Sequence, residues 1–452
     1  MKQRLTDALK GLRQDRLLQG VIKNTGYLFS SSTVSMVLGM LQSIFAARLL
    51  GVELLGVLGT ITSFASTINR LLSFRMSELV VKYLGRDLTE ERRERAKGVV
   101  ALAALTEASA SVIAFGVLYW LAPLAAEFLA KDASFTPLFR IYGVSILAGL
   151  VVETATGILQ IDNRFRAQAV INVAQSVLTA AMILAAFVLK GGLFWVMLAY
   201  LVGKVILGIG PVGLALGSLR RLFGPDWWRI SAEHMPKLKE VMHFAVSTNL
   251  SATINLLVRD SELLWISYFL SPLEAGYYKI AMAVVNLVVM PITPFISTTY
   301  PEISRSVAAK QWQRLRHLLR RVTLFSGAWT LVTTLGLLVL GRWVIGLMYG
   351  VEYIPAYPAL MVLLVGYGLA NVFFWNRPLL LALGLPGFPV AAMLAGGLVK
   401  VGLAFPLVPR YGYVCEALLL TSFFIISVIP ILWKGMRELR AAERQNPEGA
   451  AV

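Results

Sequence analysis

Thr248-Asn249-Leu250-Ser251-Ala252-Thr253-Ile254-Asn255-Leu256-Leu257-Val258-Arg259-Asp260-Ser261-Glu262 lies inside an apolar segment that runs from Val241 to Leu270. A segment of that length can cross a bilayer, which takes about 20 residues of helix. Thr248, Ser251, Asn255, Arg259 and Glu262 recur at three- and four-residue steps. On a helix turning by about 100° per residue, they share one narrow face. Leu250, Ile254, Leu256, Leu257, Val258, Leu263 and Leu264 fill the other faces. An arginine in a bilayer core costs at least about 2.5 kcal/mol, so it must face protein, water or a partner rather than lipid. Two readings fit. The stripe is one wall of a wet, positively charged cavity, or Arg259 pairs with Glu262 one turn away and holds helices together.

The rest of the chain has the same character. Of 452 residues, 57% are hydrophobic and 15% charged, with a mean hydropathy of +0.70. A soluble protein carries about 25% charge. The expected fold class is an all-α polytopic membrane protein. The single cysteine, Cys415, excludes an intrachain disulfide. His234, His243 and His317 are scattered without metal-ligand spacing. No phosphate-cradling glycine loop or serine-hydrolase elbow occurs, and no cofactor is implied. The polar stretch up to Asn24 precedes a full-length span, so a cleavable signal is not expected. A net charge of +17 suggests nucleic acid when a protein is soluble. Here the positive-inside rule accounts for it, and no nucleic-acid partner is expected.

Hydropathy predicts about twelve spans, near residues 26–48, 55–81, 98–121, 137–160, 168–189, 193–217, 241–269, 275–300, 322–347, 357–382, 387–408 and 413–433. Alternate loops and both tails are basic: Lys82 to Lys97, Arg164 with Arg166, Arg220 to Lys239, Arg305 to Arg321, and Lys434 to Arg444. The intervening loops are short and nearly uncharged, which predicts that both termini are cytoplasmic. Residues 1–24 carry Lys2, Arg4, Lys10, Arg13, Arg16 and Lys23, with Leu5, Leu9 and Leu12 at helical spacing. They read as an interfacial helix on anionic membrane lipid, or as a plain basic tail. Trp227 and Trp228 in the central loop, and Trp312, Leu315, Leu318 and Leu319 in a later one, suit segments lying on the membrane surface.

The chain repeats itself. Leu50-Gly51-Val52-Glu53-Leu54-Leu55-Gly56 is answered in the second half by Leu270-Ser271-Pro272-Leu273-Glu274-Ala275-Gly276. In the register that lays Leu50 on Leu270 and Gly56 on Gly276, Ser31 falls on Ser251, Ser35 on Asn255 and Gln42 on Glu262. The expected organisation is a basic segment 1–24, a six-helix bundle 25–217, a cytoplasmic linker 218–240, a second six-helix bundle 241–434 and a tail 435–452. Parallel repeats about an axis along the membrane normal are characteristic of transporters, with the site near the midplane.

Ala47-Arg48-Leu49-Leu50-Gly51-Val52-Glu53-Leu54-Leu55-Gly56 resembles a signature of the oligosaccharide and polysaccharide flippases in the multidrug/oligosaccharidyl-lipid/polysaccharide exporter superfamily. Pro272 to Tyr278 and Tyr300-Pro301-Glu302-Ile303-Ser304-Arg305 are similar to its second-half signatures. The resemblance implies two six-helix bundles around a central cavity that alternates between inward-open and outward-open states. It also implies an isoprenoid-diphosphate-linked sugar as cargo, a prokaryotic plasma membrane, and glycan-assembly machinery as partners. The lipid II and sporulation branches carry two further spans that this sequence does not show.

Within the spans, Thr62, Ser63, Ser66, Thr67, Asn69, Arg70, Ser73 and Ser77 take half the circumference of the second helix. Ile61, Phe64, Ala65, Ile68, Leu71 and Leu72 take the other half. Arg70 and Arg259 are central and come from different halves. A guanidinium matches a diphosphate bidentately, so two could grip one cargo. Arg70, Arg259, Asn69, Ser251, Asn255, Lys204 and Lys400 are therefore the candidate substrate-binding residues. Asp260, Glu262 and Glu107 are candidates for taking a coupling proton or Na⁺, or else compensate nearby arginines. Met290-Pro291-Ile292-Thr293-Pro294 predicts a kink, as a hinge or as a static bend. The competing functions are an ion-coupled organic-cation or multidrug antiporter and an integral-membrane sugar polymerase or ligase. The first wants net negative charge in the membrane, whereas the intramembrane bases outnumber the acids. The second wants sizeable outer loops, and these are short.

Overall fold

The computed structural model of the chain describes residues 16–73, 76–229, 253 and 256–445. All regular structure among them is helical. Helix α1, Arg16–Leu72, is broken at Gly51, whose φ of 70° and ψ of 178° only glycine adopts readily. Next come α2 (Met76–Thr89), α3 (Arg93–Phe128), α4 (Thr136–Ala148), α5 (Val152–Ile161), α6 (Phe165–Val188) and α7 (Leu193–Phe223). A π-helical turn, Leu256–Asp260, leads into α8 (Glu262–Phe269) and α9 (Pro272–Val289). Beyond them lie α10 (Thr293–Ala308), α11 (Trp312–Met348), α12 (Ala356–Val372), α13 (Asn376–Ala382), α14 (Gly387–Tyr411) and α15 (Tyr413–Gln445).

Ten helical stretches among the described residues are long and apolar enough to cross a membrane. The first, Gly26–Thr89, holds two of the expected spans joined across Gly51. The seventh expected span, 241–269, lies partly outside the described residues, as do residues 1–15 and most of the linker.

The repeat extends through the whole fold, in the register that lays Gly56 on Gly276. The first residues of α4 and α12, Thr136 and Ala356, are equivalent in it, and so are those of α7 and α15, Leu193 and Tyr413. The last residues of α3 and α11, Phe128 and Met348, also correspond. The proline pair of the second half makes a 3₁₀ turn at Met290–Ile292, because Pro291 has no N–H to donate and the α ladder fails there. Trp329 Nε1 donates to the Val288 carbonyl beside it, at 2.9 Å. At the matching place α1 ends, at Leu72, although the first half has no proline there. Two apolar clusters match as well. Val99, Leu159 and Leu219 sit buried together with Met76, Leu79 and Leu84. Their equivalents in the second half, Leu319, Leu379 and Leu439, sit buried together with Ile303, Leu315 and Trp375.

The chain divides into two compact units. One comprises the described parts of Met1–Leu49, Ile68–Pro123 and Phe135–Leu250; the other comprises Leu50–Thr67, Leu124–Ser134 and the described part of Ser251–Val452. This differs from a division at the central linker. Two first-half segments, Leu50–Thr67 and Leu124–Ser134, group with the second half, and their contacts show why. A Cβ on Gly56 would collide with the Pro272 carbonyl and lie 2.9 Å from the Gly276 nitrogen; a Cβ on Gly276 would collide with the Val52 carbonyl. Gly56 matches Gly276, and Val52 matches Pro272, in the repeat register. The contact is thus reciprocal, as at a two-fold axis. Gly59 meets Lys279, its own repeat partner, with Lys279 Cδ 2.8 Å from where a Cβ would sit. Thr60 and Ser267 hydroxyls bond at 2.7 Å, and Lys131 Nζ donates to the Tyr268 carbonyl at 2.9 Å.

Because the obstacles at the Gly56–Gly276 crossing are backbone atoms, they cannot turn aside. Gly56→Ala and Gly276→Ala should each destabilise the protein by about 1–3 kcal/mol, the usual cost of overpacking. Gly213→Ala, whose Cβ would meet nothing within 4 Å, should be neutral. Thermal unfolding of the three variants in detergent checks this, and equal midpoints would show that the crossing tolerates a methyl group.

Candidate functional site

The two faces expected of this part of α1 separate only in part: Thr67 of the polar half is buried and Leu71 of the apolar half is exposed. Ile61, Phe64, Ala65 and Ile68 are buried, while Ser66 and Arg70 are exposed and Asn69 is half-buried. An amphipathic helix turns most of its apolar face inward, and here that leaves Ser66 and Arg70 at the surface. Arg70 lies in the last turn of α1, where the helix dipole favours a cation. Lys204 is exposed on α7, and the two charges are within range to repel each other. Both candidates belong to one compact unit.

The stretch around Arg259 departs from the regular helix that its periodicity suggests. Thr248, Ser251 and Asn255 lie outside the described residues. Leu256–Asp260 form a π turn rather than an α-helical one, and the extra residue shifts the facing of the residues after it. Arg259 and Glu262 therefore do not share a face. Arg259 and Asp260 are exposed, whereas Glu262 is buried. The Arg259 guanidinium lies 5.5 Å from the ring centre of Tyr367 and 5.9 Å from that of Phe424, a cation–π arrangement.

Lys400 corrects an expectation drawn from the sequence. Expected on a cavity wall, it is 1% exposed. Its Nζ is paired with Glu262 Oε1, lies 3.1 Å from Glu416 Oε1, and donates to the Val258 carbonyl at 2.5 Å. An ammonium with two carboxylates and a carbonyl around it has no capacity left for a cargo phosphate. Glu262 is correspondingly not Arg259's partner: its second oxygen accepts from Tyr278 Oη at 2.6 Å. The sequence did not single out Glu416 or Tyr278 as site residues. Glu416 is in the first turn of the last span and passes for a residue of the outer loop. Only the pairing of α14 with α15 discloses it.

Glu107, on α3, is explained by a helix end. α5 begins at Val152 after a break, and its first N–H groups have no partner within the helix. Glu107 Oε1 and Oε2 accept from the Glu153 and Thr154 nitrogens at 2.7 and 2.8 Å. A buried carboxylate at a helix N-terminus is stabilised by both the hydrogen bonds and the dipole. Glu153 in turn accepts from Ser77 Oγ at 2.5 Å. Removing Glu107 by Glu107→Ala leaves two buried N–H groups unanswered and should cost about 1–3 kcal/mol. Glu107→Gln retains one acceptor and should cost less. Unfolding midpoints of the two variants give the order, and unchanged midpoints would dismiss the cap.

Comparisons with known proteins agree with this architecture. A family model described as polysaccharide biosynthesis protein matches residues 45–358. Inner membrane protein YghQ of Escherichia coli (strain K12) is 26% identical over 346 residues, which are 76% of this chain and 96% of that protein. Among solved structures, a multidrug resistance MATE family transporter of the MOP superfamily, in an inward-facing conformation, superposes with a TM-score of 0.71 at 13% identity. It covers 91% of this chain and 96% of its own. The lipid II flippase MurJ, in an inward closed conformation, gives a TM-score of 0.70 at 14% identity, covering 92% and 89%. At such identities the structural likeness is one of fold. The family match spans more than half of the sequence: the chain belongs to the polysaccharide biosynthesis protein family and has the all-helical, two-bundle fold shared by the MOP-superfamily transporters.

Proposed function

We propose that this membrane protein is a flippase that carries a polyprenyl-diphosphate-linked oligosaccharide from the cytoplasmic to the outer leaflet of the plasma membrane by alternating access, for cell-surface polysaccharide synthesis. One observation carries the reading. Ser66 and Arg70 of the α1 stripe are exposed, and Lys204 lies within Coulombic range of Arg70. Charged side chains in a membrane span face protein, water or a partner rather than lipid. A diphosphate accepts the bidentate bonds of a guanidinium. Membership of a polysaccharide biosynthesis family supports the chemical class of the cargo.

Asn69 and Arg259 complete the set. Asn69 precedes Arg70 and offers an amide to sugar hydroxyls. Arg259, on a π turn, is the second guanidinium, and π turns often mark functional positions. Ser251 and Asn255 remain candidates by sequence position. The basic loops favour a cytoplasmic location for both termini, and glycan-assembly enzymes on that side would deliver the cargo.

Native mass spectrometry of gently purified protein, wild type beside Arg70→Ala/Arg259→Ala, tests the reading. The wild type should carry a polyprenyl-diphosphate sugar, and the double variant should lose it by at least about tenfold, the equivalent of 1.4 kcal/mol. Retention of the lipid in the variant would move the grip elsewhere. A small organic cation in its place would make the protein an antiporter.

A further inference from the structure

The two apolar clusters that the repeat makes equivalent are filled differently. In the first, α3, α5 and α7 leave a groove of about 170 Å³ between them. Small side chains open it: Ala101 and Ala104 on α3, Thr154 and Ala155 on α5, and Ala215 on α7. Apart from Lys97, Thr154 and the indole N–H of Trp227, every side chain on its walls is hydrocarbon. The whole groove lies in one compact unit. Apolar spaces of about 150 Å³ exclude water and take apolar ligands.

In the repeat register, Thr154 corresponds to Phe374 and Ala155 to Trp375. Both aromatic side chains are buried, and they pack with Leu319, Leu379 and Leu439, the equivalents of Val99, Leu159 and Leu219. Trp375 Nε1 donates to Thr323 Oγ1 at 2.7 Å, which fixes the ring. Phe374 and Trp375 stand in the break between α12 and α13, whereas Thr154 and Ala155 are already inside α5. The rim differs too. Arg316 Nη2 and Glu443 Oε2 pair at 2.6 Å, which ties the first turns of α11 to the end of α15. Ala96 and Phe223 hold the equivalent places, where no ion pair can form, and Phe223 lines the groove. One copy of the scaffold supplies its own filling, and the other presents small side chains.

The mouth of the groove is basic. Lys97, on its wall, closes the basic stretch from Lys82 and donates to Glu94 Oε1 at 2.8 Å. An ammonium has three donors, so that bond does not exhaust it. Arg220 and Arg221 lie in the last turn of α7, between the wall residues Leu219 and Phe223. Around this end, Lys97, Arg164, Arg220, Arg221 and Arg229 outnumber Glu94, Asp162 and Asp226, the acids with which four of them pair. Trp227 meets Trp228 edge-on with ring centres 6.0 Å apart, and tryptophan favours the interface between membrane and water.

We propose that this groove is a binding site for one acyl chain of an anionic membrane phospholipid, whose phosphate lies at the basic mouth. Basic residues beside an apolar surface attract anionic lipid. An unbranched chain is thin enough to lie between the three helices. A partner helix, about 10–12 Å across, is not, and a polyprenyl tail is broadened by its methyl branches. The lipid takes the part that Phe374 and Trp375 take in the second half, so the packing of the first half depends on the composition of the membrane.

The test uses the full chain, reconstituted in vesicles of phosphatidylethanolamine and phosphatidylglycerol in equal amounts and then gently extracted. Native mass spectrometry of wild type should show a retained phosphatidylglycerol, enriched about fivefold over phosphatidylethanolamine, the effect of one basic residue near the phosphate. Ala155→Phe, which supplies a ring where the other half has one, should lower the retained lipid at least about tenfold. Leu216→Trp, at an exposed position of the rim, should do the same and serves as the second variant should the first fold poorly. Lys97→Gln should keep a bound phospholipid and lose the preference for phosphatidylglycerol. Added phosphatidylglycerol should raise the unfolding temperature of wild type but not of the two filled variants. No retained phospholipid in wild type, equal retention of the two phospholipids by wild type, undiminished retention in both filled variants, or an unchanged preference in Lys97→Gln would each overturn the assignment. Displacement of the phospholipid by added polyprenyl phosphate would overturn it as well, and would give the groove to an isoprenoid tail.

Discussion

A charge between apolar helices has to be answered by something nearby, and the interior chemistry of this protein is a set of such answers. Glu107 is answered by the open N-terminus of α5. Lys400 is answered by two carboxylates and a carbonyl. Arg70 sits where the dipole of α1 helps it, on a face that the protein does not cover. The first two arrangements are closed and hold helices together. The third is exposed, and Lys204 lies within Coulombic range of it.

The two halves share packing but not chemistry. Leucines at equivalent positions of the repeat fill corresponding apolar clusters, and Gly56 with Gly276 makes a reciprocal crossing. At the position matching Glu262, however, stands Gln42, whose Nε2 donates to the Ser176 carbonyl of α6 at 2.9 Å. The same pair of helices in the other half, α8 and α14, is joined by Glu262 and Lys400. A neutral amide on a backbone carbonyl needs no further partner. A carboxylate on an ammonium brings in a third charged group, Glu416, 3.1 Å from the same ammonium. One scaffold is built twice, and at this helix pair only one of its copies is joined by an ion pair.

Likeness of fold to both drug transporters and a lipid flippase fits this division. The bundle architecture and its two-fold repeat suit any cargo that must be exposed to one side of a membrane and then to the other. A shared fold does not by itself name a cargo.

The sequence by itself determined the class, the order of the spans, the repeat and its register, the break near Pro291 and the apolar face of the second span. All of these depend on patterns along a single helix, where hydropathy and a fixed angular step are sufficient. It also marked Arg70 and Lys204 as cations within apolar spans. Tertiary structure alone decided what each charge meets. Lys400 and Glu416 lie on different helices, and Glu262 lies far from both in sequence. No periodicity couples them, because their meeting depends on how α8, α14 and α15 pack. The π turn at Leu256–Asp260 had the same effect at shorter range. Once one turn holds an extra residue, the angular step on which the facing of Arg259 and Glu262 was predicted no longer applies, and only the folded backbone shows where each points.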